Sequence, residues 1–240
     1  MARSYADELD KNGGAEMTLD LSVSPLVVAP QLLGATVLVN DVSVRITEVE
    51  AYLGAADPAS HAFKGETPRN ATMFRAAGSV YVYFTYGMHY CMNIVCWPEG
   101  RAGGCLLRAG EVIDGEDLAR ERRPGVVRSR DLARGPANLT RCLATSREWN
   151  GASLCVDGEL LSDKDGKGIV VVDTPESVPP VQTGPRVGVS GIGGDGQRYP
   201  GRFWNPGAPT VSAYKKGGGS RTRHGQSAKV AARDRRLNPA

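Results

Sequence analysis

Apolar residues along this chain alternate with polar ones in short runs, the period of two that belongs to strands, and clusters of Gly, Pro, Asn and Asp break the runs apart. "SPLVVAPQLLG" predicts a short helix closing at Gly34, and "ATVLVN" a strand that turns at Asn40-Asp41 into a second strand, "VSVRITEVEAYLG". A polar loop, Ala55 to Ala71, leads to "VYVYFTYGMHYCMN", residues 80–93, which predicts a hairpin turning at Tyr86-Gly87. The strand "GGCLLRAGEV" follows. Residues 116–147 are rich in arginine and expected to be helical, with Gly135-Pro136 opening a segment in which Leu139, Cys142 and Leu143 share a face. Residues 156–184 predict short strands and loops at a rim, and residues 184–214 one more strand, a glycine-rich loop and a last edge. Strands in succession with helices set to one side predict an α+β fold: a single domain with a curved, mostly antiparallel sheet flanked by helices, and a protruding β-hairpin. The string "GIGGDG" at 191–196 satisfies GxGxxG, but Pro200, Gly201 and Pro206 forbid the helix that a dinucleotide site needs, which excludes that reading.

Composition narrows the class. In 240 residues, 41% hydrophobic and 23% charged, one substantial core fits. The expected organisation is a flexible leader over 1–18, a main domain over 19–214 and a basic disordered tail over 215–240. The tail holds eight lysines or arginines against one acid, within a chain of formal charge +3. Such a segment suits contact with a polyanion, and equally a solvated, solubilising tail. The acidic N-terminus lacks the order of a secretory signal, and no apolar run approaches a membrane span, so a cytoplasmic protein without membrane contact is expected. Five cysteines without a CxxC pair read as reduced thiols, and three scattered histidines predict no metal. No cofactor motif remains.

Candidate chemistry concentrates in three strands. Period two places Val42, Val44 and Ile46 on one face, and the same parity runs on through Glu48, Glu50 and Tyr52. A carboxylate emerging from the core on that face suits a general base, although strand-end glutamates turned to water fit the same pattern. Arg108 interrupts the apolar "GGCLLRAG" and calls for a carboxylate partner, Glu48 or Glu50. Asn93, between Met92 and Ile94, must find hydrogen bonds or serve a ligand. In the hairpin Val80, Val82 and Phe84 alternate with Tyr81, Tyr83 and Thr85, while Tyr86 and Met88 stand at the tip, where large apolar groups suit insertion into something. Carboxylates, an arginine, phenols beside a pocket and an aromatic wedge together point to an enzyme that takes a base out of a DNA stack. The phenols and His61 would sandwich the base and a carboxylate would activate water.

"TEVEAYLG", His61, "TPRNATMF", "VYVYFTYGMHYCMNIV", "LLRAGEV", "GPANL", "RVGV" and the "RFW" end, in that order over residues 20–214, resemble the alkyladenine (3-methyladenine) DNA glycosylase family. The resemblance implies a monofunctional glycosylase, with no cofactor and no lyase activity, that removes 3-methyladenine, 7-methylguanine, hypoxanthine or ethenoadenine from double-stranded DNA as a monomer and so starts base excision repair. It implies that Glu50 is the general base, that Arg108 holds Glu50 and the water, and that the main-chain carbonyl of Val187 is a third water ligand. Tyr52, His61 and Tyr83 would stack on the flipped base, and Asn93 would crowd the 2-amino group of normal guanine. Tyr86 would enter the minor groove with Met88 beside it. Thr67 and Arg69 are candidates for backbone contacts or for loop solvation, and His89 for a phosphate bond or mere solvation. Two rivals remain: a noncatalytic nucleic-acid-binding module that stacks bases on the hairpin, and a hydrolase of free nucleosides.

Overall fold

Asn40 and Asp41 both adopt positive φ, 50° and 61°, and this tight turn folds β1 (Thr36–Val39) back on β2 (Val42–Tyr52). The computed structural model describes residues 19–161 and 168–218. Across them follow β3 (Val80–Thr85), β4 (His89–Val95), β5 (Gly104–Asp114), β6 (Ser153–Val156), β7 (Glu159–Leu160), β8 (Ile169–Asp173), β9 (Gln182–Gly184) and β10 (Arg202–Trp204). The strands form one open sheet in the order β3-β4-β5-β2-β1-β8-β6-β7. Beyond the end of β1, β10 takes over the same edge of β2 and carries β9. Every pairing is antiparallel except β6 with β8, so the α+β expectation stands.

Among the described residues three short helices flank the sheet: α1 (Pro25–Gln31), α2 (Glu116–Arg122) and α3 (Pro136–Cys142). The Ser24 hydroxyl caps α1 by accepting from the Leu26 amide, and Gly34 at φ +86° turns the chain away as expected. The segment 116–147 is less helical than its pattern suggests. Pro124 cannot continue a helix and Gly125 sits at φ +83°, so two seven-residue helices flank a connection carrying only a 3-10 turn at Ser129–Asp131. Around 191–196 there is likewise a 3-10 turn, Ile192–Gly194, and residues 195–218 after it hold no helix.

One core fills the helix side of the sheet. Leu32 and Leu33, Val80 and Val82, Met92 and Ile94, Cys105 and Leu107, and Leu139, Cys142 and Leu143 all belong to it. The opposite face carries a smaller cluster of Ala62, Met73, Tyr81, Val95 and Ala102. In β2 the expected parity is overturned. Val42, Val44 and Ile46 point into the main core, but so do Val49 and Ala51, because the register against β5 shifts on either side of Glu48. This bulge exchanges the two faces. Glu48, Glu50 and Tyr52 therefore stand on the face opposite the helices, with Tyr81, Tyr83, Asn93 and Arg108.

The leader (1–18) and residues 219–240 of the basic tail lie outside the described residues. Lys215, at the start of that basic segment, accepts a hydrogen bond from the Gly188 amide at 2.7 Å, and a Cβ on Gly217 would come within 2.3 Å of the Val189 carbonyl carbon. Among the described residues no helix is long and apolar enough to cross a membrane.

Candidate active site

Both carboxylates of β2 are fully buried, which excludes strand-end glutamates turned to water. Arg108, from the neighbouring strand, bridges them: Nε lies 3.1 Å from Glu48 Oε1 and Nη1 3.2 Å from Glu50 Oε2. Burial alone would make the guanidinium easier to deprotonate, but Glu50 and then Glu48 outweigh it and hold Arg108 above its ordinary value. The alternative between the two glutamates thus resolves into a shared partner.

The carboxylates differ in what else they hold. Glu48 accepts from Arg108, from Arg202 Nε at 2.7 Å, and from the Ser212 hydroxyl and amide at 2.9 and 2.8 Å. Three of these four donors converge on Oε1 and the Ser212 amide takes Oε2. Glu50 accepts from the Val187 amide at 2.6 Å, the Tyr52 hydroxyl at 2.9 Å and Arg108. Burial, then the Glu50 charge, pushes the Tyr52 phenol well above its usual range, so it remains a donor.

A cleft of about 490 Å³ opens beside this pair, lined among others by Tyr52, His61, Tyr83, Tyr86, His89, Arg108 and Val187. At its inner end a recess of about 60 Å³ is bounded by Tyr52, Ala59, His61, Met73, Tyr81, Tyr83 and Asn93. The His61 ring meets Tyr83 edge-on at 4.5 Å, and its Nδ1 lies 3.1 Å from the Tyr81 hydroxyl. Tyr81 and Tyr83 stack at 5.4 Å. Burial drives Tyr81 up to about 12 and Tyr83 higher still, so neither ionises near neutrality. Asn93 is buried and donates to the Tyr81 carbonyl at 3.0 Å, which turns its amide edge to the recess.

Desolvation, and secondarily the Arg69 cation, lowers the His61 imidazole below 6.5, so the ring is neutral at pH 7. An NMR titration is expected to find its midpoint below 6.5, rising toward that value in Arg69→Ala; a midpoint unmoved by the substitution would remove Arg69 from the pocket's field.

The hairpin stands out from the body as expected. Tyr86 (φ 51°) and Gly87 (φ 67°) make the turn, Met88 N–H returns to Thr85 O at 3.1 Å, and Tyr86 is 83% and Met88 68% exposed. His89 is half-buried on the cleft wall. Thr67 spends both its amide and its hydroxyl on Asn70 Oδ1, at 2.6 and 2.9 Å, which makes it a loop-shaping residue in this structure. Arg69 is exposed and donates to the Phe84 carbonyl at 3.4 Å.

The model of the methylpurine-DNA glycosylase (MPG) family matches residues 20–209. The chain belongs to that family. Three bacterial relatives carry the name "Putative 3-methyladenine DNA glycosylase". The Streptomyces avermitilis protein is 45% identical over 83% of this chain and 92% of its own length. The Leifsonia xyli protein is 47% identical over 80% and 89%, and that of Frankia casuarinae 46% over 84% and 94%. As a member of the family the protein is a DNA N-glycosylase, an enzyme of DNA repair whose substrate is DNA.

Around this site stand two buried arginines that the strand pattern did not single out. Arg186 is 1% exposed, pairs through both nitrogens of its fork with Asp57, and donates to the carbonyls of Ala51 and Gly193. Its guanidinium lies 4.5 Å from the centre of the Tyr52 ring, on the residue immediately before the Val187 amide that holds Glu50. Arg202 completes the Glu48 cluster from β10. Their signal was an arginine inside each of the apolar strings "GPRVGV" and "GRFW", the same reasoning that marked Arg108.

Proposed function

We propose that this glycosylase turns an alkylated or deaminated purine out of duplex DNA into the cleft and hydrolyses its N-glycosidic bond with water activated by Glu50, leaving an abasic site. The observation that carries this reading is the difference in where the two buried carboxylates sit: the three groups that hold Glu50, namely Tyr52, Arg108 and Val187, all line the cleft, whereas Arg202 and Ser212, which hold Glu48, do not. The water proton passes to Glu50 as its oxygen bonds to C1′, while the C1′–N bond breaks and its electron pair leaves with the base. Positive charge gathers on the sugar as that bond opens, and a fixed anion beside C1′ stabilises it. Arg108 and the Val187 amide hold the carboxylate in place, and the Val187 carbonyl is a further water ligand.

Tyr52, His61 and Tyr83 form the aromatic walls against the base, and Asn93 crowds the 2-amino group of guanine. The neutral His61 adds no charge against cationic alkylated purines such as 7-methylguanine, and hypoxanthine and ethenoadenine share the flat shape. Tyr86 fills the gap in the stack, with Met88 beside it. None of the described residues lining the cleft is a lysine, which supports water as the nucleophile and an enzyme without lyase activity.

The test compares a duplex carrying one hypoxanthine opposite thymine with free inosine. Release from the duplex alone is expected, because Tyr86 has a role only where there is a stack to enter. An aromatic ring on a base contributes about 1–3 kcal/mol, so Tyr86→Ala should weaken excision about 10–100-fold. Equal action on inosine would support the nucleoside hydrolase, and tight duplex binding with no released base, repeated on an alkylated duplex, the noncatalytic module.

A further inference from the structure

β3 is the edge strand of the sheet, and only part of its free edge is covered. Val80 exchanges hydrogen bonds with Gly151 and Ala152, and the Val82 amide donates to Asn150 Oδ1 at 3.1 Å. Beyond Val82 the edge opens into a groove of about 380 Å³. Its floor is Val82 to Phe84, one wall carries Pro68 and Arg69, and the other Arg147 and Asn150.

Two guanidiniums thus face one groove that no carboxylate lines. Arg69 is oriented by its bond to the Phe84 carbonyl, and among the described residues neither arginine makes an ion pair there. Like charges gathered without an acid repel one another until an anion joins them. The groove also shares Tyr83 with the recess, so whatever fills it lies against the outer side of the base pocket wall. Phe84, 47% exposed, offers an apolar surface beside the two cations. The chemistry of the occupant is an anion with a flat or apolar companion.

We infer that this groove holds a phosphodiester of the damaged strand near the extruded nucleotide, gripped between Arg69 and Arg147, with its sugar against Phe84. The inference rests on the excision reading above and extends the DNA contact to Arg147 and the open edge of β3. The Arg69 charge is felt by both His61 and Tyr81, which shows how close the groove stands to the base pocket.

The experiment measures duplex binding by fluorescence anisotropy from 50 to 200 mM KCl, for the wild-type chain, Arg147→Ala, Arg147→Lys and Arg45→Ala. Arg45 pairs with Glu111 toward the other end of β2, so its loss removes the same charge away from the groove. Arg147→Ala is expected to flatten the logarithmic salt slope by about 0.9, one phosphate contact, and to weaken binding several-fold at the low-salt end, while Arg147→Lys keeps the slope. An unchanged slope in Arg147→Ala, or an equal change in Arg45→Ala, overturns the inference. The duplex carries hypoxanthine, so excision is scored on the same samples. Absence of excision by the wild-type chain would sink the catalytic reading, whereas the salt slopes decide the groove independently of it.

Discussion

Glu50→Gln is expected to slow single-turnover excision of hypoxanthine from a duplex by more than about 10⁴-fold, while duplex affinity changes no more than a few-fold. Loss of a general base alone typically costs about 10²–10⁴. Here the same substitution also removes the anion beside C1′, where charge develops. The amide is nearly isosteric and Arg108 keeps Glu48 as its partner, so the cleft persists. One oxygen becomes an NH₂ group facing either the Val187 amide or Tyr52 and Arg108, all of them donors, at a cost of about 1–3 kcal/mol in stability. Single-turnover rates with a labelled duplex, together with direct binding, check both halves. A variant within tenfold of wild type would take the role of base away from Glu50.

Glu48→Gln, two residues earlier in the same strand, should show the opposite balance. Its carboxylate is the acceptor for two buried arginines and for Ser212. Removing one charge from that cluster leaves Arg202 without an anion and Arg108 with only Glu50, and breaking a buried pair in this way costs about 3–5 kcal/mol. Urea unfolding should locate that loss, and the folded fraction should retain more excision activity than Glu50→Gln. A change within about 1 kcal/mol would mean that the cluster does little to hold β2, β5 and β10 together.

Most of the strands and both tight turns could be read from the chain because they are local: alternation marks β2 to β5, and Asn40-Asp41 and Tyr86-Gly87 mark the turns. The bulge in β2 could not. It comes from pairing with β5, so the alternation carried past Ile46 put Glu50 on the wrong face. The helical expectation over 116–147 gave too little weight to Pro124-Gly125. Arg108 announced itself by interrupting an apolar run, and Arg186 carried the same signal, but its partner Asp57 lies 129 residues away in a loop, where no periodicity points. The inequality of Glu48 and Glu50 was likewise out of reach, because it is made by Arg202 and Ser212 from the far end of the chain.

The most direct test of water-driven base removal uses a strand-labelled duplex with one hypoxanthine, incubated with the wild-type chain and split into three portions: one untreated, one heated with alkali, one mixed with borohydride. Free hypoxanthine in equal amount to strand breaks that appear only after alkali, with no protein–DNA adduct, is the expected result. Breaks without alkali, or an adduct trapped by borohydride, would show an amine nucleophile and contradict the role given to Glu50.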